Sequence, residues 1–81
     1  EQGRLLADFL SGKTPYEQFH DASWNEAGVN SVLGVKMVNL LGQLLNMNIP
    51  ATVMYEYTTP RLLYNFILES VTEQDFFRML E

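Results

Sequence analysis

GVNS, residues 28–31, leads into the apolar segment VLGVKMVNLLGQLL, residues 32–45. Asn30 is a good N-cap residue, because its side-chain oxygen can accept a hydrogen bond from the first helical turn, and Gly28 gives a flexible lead-in. The length and apolar content of residues 32–45 predict a core helix. Ser31 therefore lies at or beside the first helical residue, where free backbone N–H groups and the positive end of the helix dipole favour a phosphate ester.

The composition of the chain indicates one small domain. Its 81 residues, 47% of them hydrophobic, are enough for one helical bundle and leave no room for a separate substrate domain. The chain has no cysteine and one histidine, so it has neither disulfides nor a thiolate metal site, and its scattered carboxylates lack metal-ligand spacing. We therefore expect no metal site and no catalytic residues.

The charge of the chain argues against two classes of partner. Its formal net charge is −5 and it has no cluster of Lys or Arg, which argues against nucleic acid and anionic membranes. No apolar run reaches the ~18 residues of a membrane span. We expect a soluble cytoplasmic domain, and we expect the chain, which begins at Glu1 without a methionine, to be a piece of a longer protein.

Helical periodicity predicts five helical segments. Thr52, Thr59 and Thr72 are the expected N-caps of the last three. Residues 16–27 are expected to form a loop with one helical turn, anchored to the core by Trp24. The predicted helical segments span residues 4–10, 31–46, 53–57, 60–69 and 72–81.

Apolar residues at helical spacing predict the core. His20 is expected to be a solvated loop histidine. Tyr55 and Tyr57 are expected to pack the short third helix against the bundle. The tail around Phe76 and Phe77 fits three interpretations, a bundle cap, a linker remnant or a docking element. The other residues expected to pack inside are Leu5, Leu6, Phe9, Leu10, Met37, Leu41, Leu44, Leu45, Leu62, Leu63, Phe66 and Ile67.

Two motifs resemble those of an acyl carrier protein domain, most closely the carrier domains of modular polyketide synthases. In that family a Gly-x-Asp-Ser-Leu motif opens the second helix, and a Leu-Pro-x-Thr-x-x-Phe-x-x-Pro-Thr segment follows at a fixed distance. Gly28-Val29-Asn30-Ser31-Val32 is similar to the first motif, and residues 49–59, IPATVMYEYTT, are similar to the second without a gap. The resemblance covers residues 4–69, and Leu41 stands between the motifs at a usual core position.

The resemblance implies an all-α fold, a small antiparallel helical bundle with three main helices and a short third helix. It implies a carrier domain over residues 1–70, followed by a C-terminal short helix or linker over residues 71–81. It also implies that 4′-phosphopantetheine is attached to Ser31 and that its thiol carries acyl chains as thioesters. Such a polyketide carrier is not an enzyme, because the hard chemistry belongs to the cofactor and to partner enzymes. The implied partners are a phosphopantetheinyl transferase, a ketosynthase, an acyltransferase and other polyketide-tailoring enzymes.

The second helix departs from the family pattern. Asn30 replaces the usual Asp, and Lys36 stands where Glu is common. Val38 and Leu40 fall where polar residues are common, which makes the partner-facing side of this helix unusually apolar. The residues expected to form the partner interface are Asn30, Val32, Val35, Lys36, Val38, Asn39 and Tyr57.

Two alternatives stay open beside the polyketide carrier. Asn30, Lys36 and the apolar second helix also fit a carrier-like docking domain that is not modified. A peptidyl carrier of a nonribosomal peptide synthetase has a similar fold, although residues 51–59 fit polyketide carriers better. The sequence also leaves open whether the acyl chain enters the bundle or stays in solvent.

Overall fold

The computed structural model describes residues 2–81, and this part of the chain contains five α-helices and one short 3-10 helix. No strand occurs in this part, so the predicted all-α bundle is confirmed. The bounds are α1 Gln2–Ser11, the 3-10 helix Glu17–Phe19, α2 Ser31–Leu45, α3 Val53–Glu56, α4 Pro60–Leu68 and α5 Glu73–Met79.

Asparagine residues define both ends of α2. Asn30 has an extended backbone, and its Oδ1 accepts a hydrogen bond from the Leu33 N–H at 2.9 Å. At the other end Asn46 adopts a left-handed conformation with φ 53°, which ends the helix. The predicted N-cap is therefore confirmed, and α2 ends one residue earlier than predicted.

Threonine side chains begin α4 and α5, as predicted. Thr59 Oγ1 accepts a hydrogen bond from the Leu62 N–H at 3.2 Å, and Thr72 Oγ1 accepts one from the Asp75 N–H at 3.1 Å. The predicted cap at Thr52 is wrong, because Thr52 has helical backbone angles and makes no side-chain capping bond. An N-cap residue needs an extended backbone to turn its side chain toward the helix.

The core lies where α1 packs against α4 and α5, and where α5 contacts α2. Phe76 and Leu80 from the tail are fully buried, so α5 completes the bundle with its apolar side. The other fully buried apolar residues are Ala7, Leu10, Val38, Leu41, Pro60, Leu63 and Ile67.

Three apolar residues that were predicted to be inside lie on the surface. Leu5 is 57% exposed, Leu62 is 41% exposed and Tyr55 is 80% exposed. The buried stripe of α4 includes Tyr64 instead of Leu62, and the single turn of α3 buries Val53 alone. The stripes are therefore narrower than the apolar composition suggests.

His20 is half-buried, so the prediction of a solvated loop histidine holds only in part. Its ring packs edge-on against Tyr64 with centroids 6.2 Å apart, and a Cβ atom added to Gly12, whose φ is +75°, would lie 2.5 Å from the ring. Its Nε2 is buried and has no hydrogen-bond partner in the described residues. Burial lowers the pKa of His20 and the Arg61 guanidinium adds to this, whereas Asp21 and the Leu10 carbonyl act in the opposite direction.

Acidification is therefore expected to destabilise the fold. The unfolded chain takes up a proton at His20 near pH 6.5, whereas the folded protein takes it up only at lower pH, so the unfolded state binds more protons and is favoured as the pH falls. Asp21 stays charged over this range, because the Arg61 hydrogen bond holds its pKa below 3.8. Urea unfolding at about pH 7.5 and about pH 5.5 measures the effect. His20→Gln should flatten this dependence, and an equal loss of stability in both proteins would exclude His20 as its source.

Candidate functional site

Ser31 is the first residue of α2 and is exposed. The Asn30 side chain accepts the hydrogen bond of the Leu33 N–H, and the Asn30 carbonyl accepts a hydrogen bond from the Gly34 N–H at 2.8 Å. The first turn of α2 contains no acidic residue. A phosphate ester on the Ser31 hydroxyl would therefore lie near the positive end of the helix without a carboxylate of the same turn to repel it. The residues at this position fit the attachment of a phosphorylated group.

Trp24 fixes the loop that precedes Ser31. Its ring is 8% exposed, and its Nε1 donates a hydrogen bond to the Tyr57 carbonyl at 2.7 Å. Its own carbonyl accepts a hydrogen bond from the Val29 N–H at 2.8 Å. The predicted anchor role of Trp24 is confirmed, and the same residue joins this loop to the end of α3.

Replacement of Trp24 by phenylalanine should lower the free energy of unfolding by about 1–3 kcal/mol, because it removes a buried hydrogen bond and part of a buried ring. Urea unfolding measures the loss. A smaller loss is expected for Tyr55→Phe, the matched control, because the Tyr55 side chain is 80% exposed. Equal stabilities of the Trp24 variant and the parent would contradict the anchor role.

Ser31 lines an open groove of about 370 Å³ between α2, the preceding loop and α3, which we name the α2–α3 groove. Val35 and Tyr55 line it with Ser31 and leave apolar surface exposed. Met54 of α3 packs over Gly34, because a Cβ atom at this position would lie 2.8 Å from Met54 Cε, the flexible end of that side chain. A group attached to Ser31 would have the apolar surface of this groove beside it.

Most of the predicted interface residues of α2 are accessible. Val32 is 63% exposed and Val35 is 44% exposed. Asn30, Lys36 and Asn39 are also exposed. These five residues are therefore available for contact with a partner.

Val38 was predicted to lie in the interface, and this prediction is wrong. Its side chain has no exposed surface, because it belongs to the buried stripe that Gly34, Val38, Leu41 and Leu45 form along α2. Tyr57 is half-buried, and its ring packs on Phe66 with centroids 4.8 Å apart. Tyr57 does not line the α2–α3 groove.

A larger open groove of about 690 Å³ lies on the other side of α2, between α1, the loop and α2, and we name it the α1–α2 groove. Sequence reasoning missed it. Its α2 wall consists of Leu33, Lys36, Met37 and Leu40, and Lys36 is the one charged residue that lines it within residues 2–81. The spacing i, i+3, i+4 and i+7 of these residues is the signal that marks a second helical face.

The described residues contain no group of three or more His, Cys, Asp or Glu that could hold a metal ion. Within residues 2–81, no helix is long and apolar enough to cross a membrane.

Comparison with known families gives one match. The sequence model described as "Phosphopantetheine attachment site" matches residues 5–67, which include all of α2 and both grooves. No curated protein and no solved structure matches the chain. Members of the matched family are carrier domains, generally non-catalytic, that bear a covalently attached 4′-phosphopantetheine and interact with phosphopantetheinyl transferases and synthase enzymes. Because the match spans most of its length, the protein belongs to the phosphopantetheine-attachment family of acyl and peptidyl carrier domains.

Proposed function

We propose that the protein is an acyl carrier domain of a polyketide synthase, with 4′-phosphopantetheine attached to Ser31. The observation that carries this proposal is the exposure of Ser31 at the start of α2. Among the serines of residues 5–67, Ser11 and Ser23 are half-buried, and their hydroxyls take part in hydrogen bonds with Asp8 and Glu26. Ser31 is the exposed serine of this range, and it occupies the serine position of the motif.

The residues around Ser31 support attachment in three ways. Asn30 fixes the start of α2, and the free N–H groups of the first turn stabilise negative charge on the phosphodiester. Val35 and Tyr55 offer apolar surface to the arm in the α2–α3 groove. When bound, the arm supplies a thiol that holds the acyl group as a thioester and presents it to other active sites at a high local concentration.

Exposed apolar side chains on α2 and α3 support docking of synthase enzymes. Val32, Val35 and Tyr55 are all more than two fifths exposed and lie close to the attachment position. Apolar contacts of this kind lengthen the lifetime of a complex, whereas a charge such as that of Lys36 mainly changes the rate of encounter. The proposed partners are a phosphopantetheinyl transferase, a ketosynthase, an acyltransferase and tailoring enzymes.

Two measurements test the proposal. Fragmentation mass spectrometry of the modified protein should locate the phosphopantetheine on the peptide that contains Ser31. A malonyl-type acyltransferase should then charge the thiol, and an amino-acid-activating enzyme should not. Charging with amino acids alone would contradict the polyketide assignment and favour a peptidyl carrier.

An unmodified docking domain is the second candidate, and the neutral side chain of Asn30 favours it. Asn30→Asp restores the charge that is usual beside the serine in the family while it preserves the helix cap. We expect the parent and Asn30→Asp both to be modified. Failure of both folded proteins to accept the cofactor would establish the docking domain as the better account.

A further inference from the structure

We propose that the α1–α2 groove binds an acyl group that ends in a carboxylate, and that Lys36 is the ion partner of this carboxylate. The inference rests on the proposed function, because the acyl group reaches the groove on the arm at Ser31. It assigns a class of cargo, acyl chains with an apolar stem and an anionic end.

Lys36 differs from every other cation of the described residues. It is exposed and takes part in no ion pair or cation–π contact within residues 2–81. Its ammonium group is therefore available to an anionic ligand. The other four cations are engaged in the pairs Arg4–Asp8, Lys13–Phe77, Arg61–Asp21 and Arg78–Asp75.

The α1–α2 groove supplies the apolar part of the same site. Leu6 and Phe9 of α1 face Met37 of α2 across it, and Phe19 lines it from the loop. Its volume of about 690 Å³ lies within the range of roughly 300–1,000 Å³ that is usual for small-molecule sites. Such sites are mostly apolar with a few polar groups that orient the ligand, and among the described lining residues of this groove Lys36 is the one that carries a charge.

The groove is close to the attachment position. Val29, two residues before Ser31, lines both the α2–α3 groove and the α1–α2 groove, so the two grooves meet at this residue. Lys36 lies five residues after Ser31, which is about 7.5 Å along the helix axis. A flexible arm at Ser31 therefore has a short path over Val29 to Lys36.

The tether explains why an open groove is sufficient. A ligand on a short flexible linker has an effective concentration in the roughly millimolar range, so weak affinity fills the site. The net charge of −5 disfavours capture of a free carboxylate from solution. A carboxylate that is attached to the arm does not have to be captured from solution. A neutral acyl chain gains the apolar contacts but leaves Lys36 unpaired. An exposed ion pair changes the equilibrium between the groove-bound and the solvent-exposed acyl chain by about two- to fivefold.

The test compares two acyl chains of equal length on the same protein. A broad-specificity transferase loads the parent from adipyl-coenzyme A, whose chain ends in a carboxylate, or from hexanoyl-coenzyme A, whose chain ends in a methyl group. Backbone NMR then follows Phe9, Leu33 and Met37 in the groove. The adipyl chain should occupy the groove about two- to fivefold more than the hexanoyl chain and shift these amides accordingly.

A second readout follows the carboxylate itself. Carbon-13 at the terminal carboxyl should titrate with a pKa about half a unit below that of adipyl-pantetheine free in solution, because the nearby ammonium favours the charged form. Lys36→Gln should return this pKa to the solution value and reduce the adipyl shifts to the hexanoyl level. Lys13→Gln removes a lysine that does not line the groove, and it should leave both readouts as in the parent.

Two outcomes would overturn the inference, and they are distinguishable. If neither chain becomes attached at Ser31 of the folded protein, the proposed function fails and the cargo assignment fails with it. If both chains are attached but the groove shifts and the carboxyl pKa are the same in the parent and Lys36→Gln, the cargo assignment is wrong and the carrier function stands.

Discussion

Ser31→Ala is expected to abolish attachment of 4′-phosphopantetheine completely while the bundle stays folded. The substitution removes the proposed attachment hydroxyl. It leaves the Asn30 cap in place, so the free energy of unfolding should change by less than about 1 kcal/mol. Intact-protein mass spectrometry reports attachment, and circular dichroism during urea unfolding reports stability.

Ser23→Ala is the matched control for this experiment. Ser23 lines the same α2–α3 groove, but its hydroxyl is occupied by a hydrogen bond from the Glu26 N–H at 3.2 Å. The Ser23 variant should be modified like the parent. Modification of Ser31→Ala, or loss of modification in a folded Ser23→Ala protein, would contradict the assignment of Ser31.

Phe76→Ala is expected to have the largest effect on stability, a loss of about 3–5 kcal/mol. Phe76 is fully buried and packs edge-on against Tyr64 and Phe77, with centroids 5.2 Å and 5.3 Å away. Because a small domain is stable by only about 5–15 kcal/mol, this loss brings the bundle close to unfolding. Urea unfolding at neutral pH measures the difference.

Phe77→Ala is the control for the tail, because Phe77 is half-buried and adjacent in sequence. We expect it to lose less stability than Phe76→Ala. Similar small losses in both variants would mean that α5 does not contribute to the core in solution. The comparison therefore tests whether the tail belongs to the bundle or is a linker.

The helix ends were the most predictable part of the fold, because capping depends on neighbouring residues. Asn30, Thr59 and Thr72 each accept a hydrogen bond from the N–H three residues ahead, as their residue types predict. Thr52 is of the same residue type but does not cap α3, because the chain turns just before α3 and places Thr52 in a helical conformation. Residue type alone does not report that turn.

The faces of α2 were harder to predict, because its apolar residues extend around much of the helix. Val38 is buried, whereas Val32 and Val35, of the same residue type, are exposed. Which valine faces the core depends on where partners such as α5 lie, and this is a long-range property. The same limit applies to His20, since its partial burial depends on a contact with Tyr64, which is distant in sequence.

The family motif was identifiable from sequence, with Ser31 as its proposed attachment residue, whereas the α1–α2 groove was not. The groove depends on how α1 is placed beside α2, and its rim residue Leu5 was expected to be inside. Lys36 stood out in the sequence as a departure from the family pattern. That it has no ion partner within the described part of the chain became visible only when the ion pairs of the other cations were located.

If Ser31 carries the cofactor, the intact mass of the folded parent should rise by one phosphopantetheine after incubation with coenzyme A and a broad-specificity phosphopantetheinyl transferase. Ser31→Ala in the same reaction should gain no mass. A folded parent that gains no phosphopantetheine, or a Ser31→Ala protein that gains one, would show that Ser31 is not the attachment residue.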